Sequence, residues 1–187
     1  MELYALCDQE TLTRKEINLS TFVDLCKKHN ASVVQYRDKS SDMTEIKKNL
    51  IKLRNSYSGY IIINDIIELV PFCDGIHLGQ EDLKEIDSNI SNAVKKVREL
   101  IGDDKLLGIS THNKEEIEIA NTLPLNYIGL GAYRTTITKD VSTVLGDSLD
   151  DLAALSKHDV AAIGGVDFDD TFKNVKYRVM GTALYEG

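Results

Sequence analysis

The sequence predicts a compact (β/α)8 barrel formed by a single domain, residues 1–187, with its eighth helix truncated or absent. Three observations predict it. Short apolar runs alternate with segments of helical period, and strict strand–helix alternation implies parallel strands joined by right-handed crossovers. The runs number eight: residues 3–7, 32–36, 60–64, 75–78, 106–109, 127–130, 160–163 and 177–180. They are apolar on both faces, as a parallel sheet covered on both sides requires. An open doubly wound sheet is the alternative architecture.

Each element has its own signal. The chain opens directly on a strand, Leu3 to Cys7, and Phe22, Val23 and Cys26 then mark a helix after Leu19. Beyond the second strand, Met43, Ile46, Leu50 and Leu53 recur at helical spacing, started by Asp42 and Glu45 at capping-box spacing. Strand three, "YIIIN", is followed by a piece from Ile66 to Val70 that holds only about one turn at ~3.6 residues per turn. Ile90, Val94, Val97 and Ile101 line a helix between strands four and five, and Asn113 with Glu116 starts the next. A further helix surrounds Leu152 and Leu155. After strand eight the sequence runs only to Gly187, so the seam between strands eight and one is expected to be bare. Exposed apolar surface of that kind marks contacts between molecules, and self-association is the expectation.

Composition narrows the function. The formal net charge is −8, from 30 acidic and 22 basic residues. That argues against non-specific nucleic-acid binding, which needs basic surface to neutralise phosphates. A local cluster of Lys and Arg can still hold a small anion. No apolar run approaches the ~20 residues needed to cross a bilayer, and "MELYALCD" lacks the basic n-region of a secretory leader. The three cysteines, Cys7, Cys26 and Cys73, form no metal motif or disulfide framework. A reduced, cytoplasmic protein without membrane or nucleic-acid partners is the expectation.

In such barrels the chemistry lies at the C-terminal ends of the strands. Here those ends carry Asp8; Gln35, Tyr36, Arg37, Asp38 and Lys39; Asn64 and Asp65; His77 and Gly79 to Asp82; Ser110, Thr111 and His112; Gly129 to Gly131, then Thr136, Thr138, Lys139 and Asp140; Gly164 and Gly165; and Gly181 and Thr182. Any one has a bland explanation, since Asn and Asp often end strands as helix caps. Together they divide by chemistry. Asp65 and Asp82 supply the two hard carboxylates that Mg²⁺ takes alongside phosphate oxygens and water. Arg37, Lys39 and Lys139 supply positive charge, and Gln35, Asn64, Ser110, Thr136 and Thr138 supply hydrogen bonds. Gly164, Gly165, Gly181 and Thr182 follow strands seven and eight, where barrels often hold a phosphate on backbone N–H groups. Two anion sites in one mouth suggest two phosphorylated small-molecule substrates.

In order along the chain, "LYALCD", "QYRDK", "IIIND", "DGIHLGQEDL", "GISTHNKEE", "YIGLGAYRTTITK" and "AIGG" resemble the thiamine phosphate synthase (thiamine-phosphate pyrophosphorylase) family. The resemblance implies a TIM barrel. It also implies a transferase that joins 4-amino-2-methyl-5-hydroxymethylpyrimidine diphosphate to a thiazole phosphate, releasing pyrophosphate before the thiazole nitrogen attacks. Carried over by motif, Gln35, Arg37, Lys39, Asn64 and Lys139 hold the pyrimidine diphosphate, and Asp65 and Asp82 hold Mg²⁺. Ser110, Thr136 and Thr138 contact the substrates or the departing pyrophosphate, with Ser110 and Lys139 the catalytic residues. Gly165 and the backbone at Thr182 hold the thiazole phosphate.

The chain departs from the family pattern in the loop from Tyr133 to Asp140. Arg134 and Thr135 replace an aromatic and a Pro, and one residue is missing after Lys139. Arg134, two residues before Thr136, is expected to face the mouth, or else to be a solvated loop residue. A thiazole tautomerase using His112, and a non-catalytic thiazole-phosphate-binding regulatory barrel, are the alternative functions.

Overall fold

Alternation sets the architecture, strand by strand. In β1 (Glu2–Asp8), Leu3, Ala5 and Cys7 join the apolar layer beneath the helices, while Tyr4 and Leu6 belong to a second cluster. That second cluster draws Val33, Ile62, Tyr127, Ala161 and Val179 from five other strands. Such a set meets only if the sheet closes, and in the computed structural model, which describes residues 1–135 and 144–186, it does. The order is β1 to β8 around the ring, every pairing is parallel, and β1 pairs with β8 as well as with β2.

The other strands are β2 (Ala31–Arg37), β3 (Tyr60–Asn64), β4 (Gly75–Leu78), β5 (Leu106–Thr111), β6 (Tyr127–Leu130), β7 (Asp159–Ala162) and β8 (Tyr177–Met180). All eight expected strands are present, and those expected at 60–64, 75–78, 127–130 and 177–180 keep their bounds. The outer layer is less regular. Helices α1 (Gln9–Arg14) and α2 (Leu19–Lys28) follow β1, and α3 (Met43–Ser56) follows β2. A 3₁₀ turn (Ile67–Phe72) follows β3; α4 (Gln80–Ile86) and α5 (Ile90–Ile101) follow β4. Helix α6 (Lys114–Ala120) follows β5, and α7 (Ser148–Ala153) precedes β7. Asp42, Asn89 and Asn113 cap α3, α5 and α6 by accepting from backbone N–H groups one turn on. No described helix is long and apolar enough to cross a membrane.

No helix joins β7 to β8; the connection 163–176 is irregular. Side chains hold it in place of backbone ladders. Asp150 accepts from the N–H groups of Lys173 and Asn174, and Arg178 donates to the Phe168 carbonyl. Phe168 lies 4.7 Å from the His29 ring and Phe172 meets Tyr133 edge-on at 5.0 Å.

The eighth helix is a single 3₁₀ turn (Thr182–Tyr185). It nevertheless covers the seam. Leu184 is fully buried, Tyr185 packs 6.2 Å from Phe22 of α2, and Lys15 bonds Glu186 at 2.9 Å. The expected bare seam is therefore absent among the described residues, and the argument for self-association that rested on it falls away.

Candidate active site at the C-terminal mouth of the barrel

Backbone conformation singles out one strand end. Asp65 sits at φ +66°, a left-handed conformation uncommon outside glycine. Its N–H donates to the His77 carbonyl at 3.0 Å, which continues the β3–β4 ladder one residue past Asn64 while turning the Asp65 side chain out of the strand pattern. Asp82 approaches the same place from the first turn of α4, where its carboxylate accepts from the Gly79 N–H at 2.8 Å. Burial raises the Asp65 carboxyl above its ordinary range, and the negative charge of neighbouring Asp82 raises it further; Lys39, 3.3 Å away, opposes both. Two carboxylates so placed repel each other, and a cation between them removes the repulsion. The pair fits a divalent cation whose remaining oxygens come from ligand and water.

Arg37, at the end of β2, is tied to Asp8 at the end of β1 at 2.5 Å. Asp8 is 3 % exposed and also accepts from the Thr11 N–H and hydroxyl, so one buried carboxylate caps α1 and anchors the arginine. Arg37 and Lys39 then line a cavity of about 390 Å³ together with Asp8, Glu10, Thr13, Arg14 and Ser40.

Gln35 and Ser110 point into the barrel from β2 and β5. They are the two ends of a hydrogen-bond chain through Tyr4, Tyr127 and His77. Gln80, opening α4, donates to the Ser110 carbonyl at 2.6 Å and fixes the β4 and β5 ends together.

Gly164 (φ +86°) and Gly165 (φ +67°) turn the chain after β7. A Cβ on Gly164 would meet Ala132 Cβ at 2.5 Å, and one on Gly165 would meet Arg134 Cβ at 2.8 Å. That closeness lets Tyr133 and Arg134 donate from their N–H groups to the carbonyls of Ile163 and Gly164. Thr182 begins the turn after β8, so Gly165 and Thr182 follow neighbouring strands as expected.

Thr136, Thr138 and Lys139 lie outside the described residues, as does Asp140. Arg134 is placed, and its commitments differ from a charge offered freely to the mouth. Its guanidinium makes two 2.6 Å bonds to the Asp170 carboxylate and donates to the Gly165 carbonyl at 2.7 Å. It serves the β6 and β7 loops as a brace, and its charge is paired where it stands.

His112 is likewise committed: its N–H and Nδ1 both bond the Glu116 carboxylate. Burial works against that carboxylate, yet the His112 bonds prevail and hold Glu116 below the usual range. The three thiols are buried, and burial pushes those of Cys26 and Cys73 up to about 12. They are neutral packing groups.

The strand-end reading named His77 and Asp8 without giving them work, and passed over Tyr4 and Tyr127. The available signal was a tyrosine at an inward position of β1 and of β6, facing glycines at inward positions of β5 and β6. A phenol there needs a partner within the barrel.

The family model described as thiamine monophosphate synthase matches residues 3–187. The thiamine-phosphate synthase of Clostridium acetobutylicum is 31 % identical over 192 residues, covering 100 % of this chain and 86 % of that protein. That of Persephonella marina is 31 % identical over 172 residues, covering 89 % and 77 %. A solved structure, thiamine phosphate pyrophosphorylase from Pyrococcus furiosus, superposes with a TM-score of 0.75 at 23 % identity, covering 97 % of this chain and 86 % of that one. That likeness bears on the fold, which is the barrel read from the alternating runs. With a family model matched over residues 3–187 and with relatives at this identity matched over most of their length, the chain belongs to the thiamine monophosphate synthase family.

Proposed function

We propose that this enzyme is a transferase joining 4-amino-2-methyl-5-hydroxymethylpyrimidine diphosphate to a thiazole phosphate, giving thiamine phosphate and pyrophosphate. The observation that carries the reading is the Asp65–Asp82 pair beside Lys39 and Arg37, at the mouth of a barrel that matches the family along its length. Asp65 and Asp82 would hold Mg²⁺, which when bound supplies positive charge to a diphosphate. Arg37 and Lys39 hold the same diphosphate from the β2 side, and Lys139 is assigned to it by motif. Asn64, Thr136 and Thr138 complete its hydrogen bonds.

The C–O bond to the pyrimidine methylene breaks first, and its electron pair leaves with pyrophosphate. The thiazole nitrogen then attacks the methylene carbon. No side chain has to remove a proton before that ionisation, so the protein's part is positioning and stabilisation of the leaving group. Ser110 donates to substrate or pyrophosphate, and Gly165 with the Thr182 backbone holds the thiazole phosphate.

A pyrophosphate-release assay tests this. Release is expected only with both substrates together, and excess chelator is expected to abolish it. Full activity in chelator would remove the metal from the reading, and no release with both substrates would overturn the reading itself.

The role of Asp8 gives a second expectation. Asp8→Asn keeps a helix-capping side chain but removes the charge that anchors Arg37. The KM for the pyrimidine diphosphate should rise on the order of fivefold, about 1 kcal/mol of lost positioning. Steady-state kinetics with the thiazole phosphate saturating checks it, with kcat expected to hold.

A further inference from the structure

The hydrogen-bond chain inside the barrel runs unbroken from Gln35 to Ser110. Gln35 Nε2 donates to the Tyr4 hydroxyl at 2.8 Å, and Tyr4 and Tyr127 hydroxyls lie 2.9 Å apart. The Tyr127 hydroxyl is 3.1 Å from His77 Nδ1, and His77 Nε2 is 3.0 Å from Ser110 Oγ. The chain crosses the barrel from β2 to β5, and its ends are the two groups read above as substrate contacts. Its middle members have no role so far.

Protons can be counted along it. Burial pushes both phenols far above their ordinary range, so each keeps its single O–H. Tyr4 accepts from Gln35, and its own proton goes to Tyr127. Tyr127's proton then goes to His77 Nδ1. A neutral imidazole that accepts at Nδ1 carries its proton on Nε2, and that N–H donates to Ser110 Oγ. The Ser110 proton is left over for the mouth. At the other end, an amide that turns Nε2 inward leaves Oε1 as an acceptor.

The reverse direction satisfies the same distances: Ser110 donates to Nε2, Nδ1–H to Tyr127, Tyr127 to Tyr4, and Tyr4 to Gln35 Oε1. One observation chooses between them, and the chemistry of the proposed substrate agrees with it. The Gln35 amide is oriented with Nε2 on Tyr4. And an aminopyrimidine diphosphate offers N–H donors on its ring and acceptor oxygens on its ester, which an acceptor at Gln35 and a donor at Ser110 complement. The reverse direction would spend the Ser110 proton inside the barrel.

We propose that Tyr4, Tyr127 and His77 are positioning residues that fix the polarity of the site, with His77 accepting at Nδ1 and donating from Nε2, Ser110 a donor to the mouth and Gln35 an acceptor. The identity of what Gln35 and Ser110 touch rests on the proposed function; the polarity of the chain does not.

Two measurements test it. In full-length protein labelled with ¹⁵N-histidine, with His77→Asn used for assignment, long-range ¹H–¹⁵N spectra report which ring nitrogen of His77 is protonated, without any substrate. The expected result is a proton on Nε2 and an acceptor-type Nδ1, with Tyr127→Phe shifting the Nδ1 resonance; a proton on Nδ1 in the wild type overturns the proposal. In the coupling assay, Tyr127→Phe is expected to lower kcat about tenfold, the effect of one misdirected hydrogen bond. It should do so in the wild-type background and cost little in Ser110→Ala, since it acts through Ser110. Equal losses in both backgrounds overturn the proposal. Absence of any coupling activity in the wild type would sink the proposed function and leave the tautomer measurement to decide the polarity.

Discussion

Replacing Asp65 with asparagine is expected to lower the rate of pyrimidine–thiazole coupling by about 10²–10³, the usual effect of losing one preorganised electrostatic contact to a developing charge. The side chain keeps its size and hydrogen bonding and loses one negative charge. Folding should respond in the opposite sense. Burial and Asp82 raise the Asp65 carboxyl in the folded protein. A carboxylate raised above its unfolded value destabilises the folded state as pH climbs through that window, and protonation relieves it. Without metal at neutral pH, Asp65→Asn should therefore melt at the same temperature as wild type or higher. Added Mg²⁺ should raise the melting temperature of wild type and leave that of the variant nearly unmoved, because only a site that binds in the folded state is stabilised by its ligand. Scanning calorimetry with and without Mg²⁺, beside the coupling assay, checks both halves. Full coupling activity in the variant, or an equal Mg²⁺ response in both proteins, would remove Asp65 from the metal site. His112→Ala is the control: His112 serves the Glu116 cap, so its loss should leave coupling only modestly reduced.

The second large effect is on stability. Gly108 faces inward on β5, and a Cβ there would stand 2.1 Å from Cζ of Tyr127 and 2.4 and 2.6 Å from two of its other ring carbons. The ring is enclosed, so it has nowhere to retreat. Gly108→Ala should cost about 2–3 kcal/mol, in the upper part of the overpacking range, or roughly 5–10 °C in melting temperature for a chain of this size. Gly129→Ala should cost less, because the nearest atom to its Cβ, His77 Cε1, would stand 3.0 Å away, whereas the Gly108 Cβ would stand 2.1 Å from Tyr127. Denaturant midpoints for the two variants check the ranking. A neutral Gly108→Ala would mean that Tyr127 has room the structure does not show.

These glycines show what the sequence could reveal. The strands were readable because a parallel sheet covered on both faces leaves uninterrupted apolar runs, and β3, β4, β6 and β8 begin and end where those runs do. The carboxylates stood out because Asp65 follows one apolar strand and Asp82 the next, although either alone has the plain explanation of a helix cap. The irregular outer layer was harder. A connection like 163–176 is held by Asp150, Arg178 and the Arg134–Asp170 pair, contacts between residues far apart in the chain that leave no periodic trace. The Arg134 brace was hidden for the same reason, since Asp170 lies 36 positions away. The inner polar chain was missed because Tyr4 and Tyr127 read as strand-forming aromatics, and only closure of the ring brings their hydroxyls together.

Closure also bears on how the chain folds. The β1–β8 pairing joins Glu2 to Tyr177 and Leu3 to Arg178, so nearly the whole polypeptide must be looped before this contact exists. Loop-closure entropy makes such a distant pairing a late event. The contacts that cover it, Tyr185 on Phe22 and Glu186 on Lys15, also come from the two ends of the chain. The turn Thr182–Tyr185 thus acts as a clasp, fastening the ring where its eighth strand meets its first.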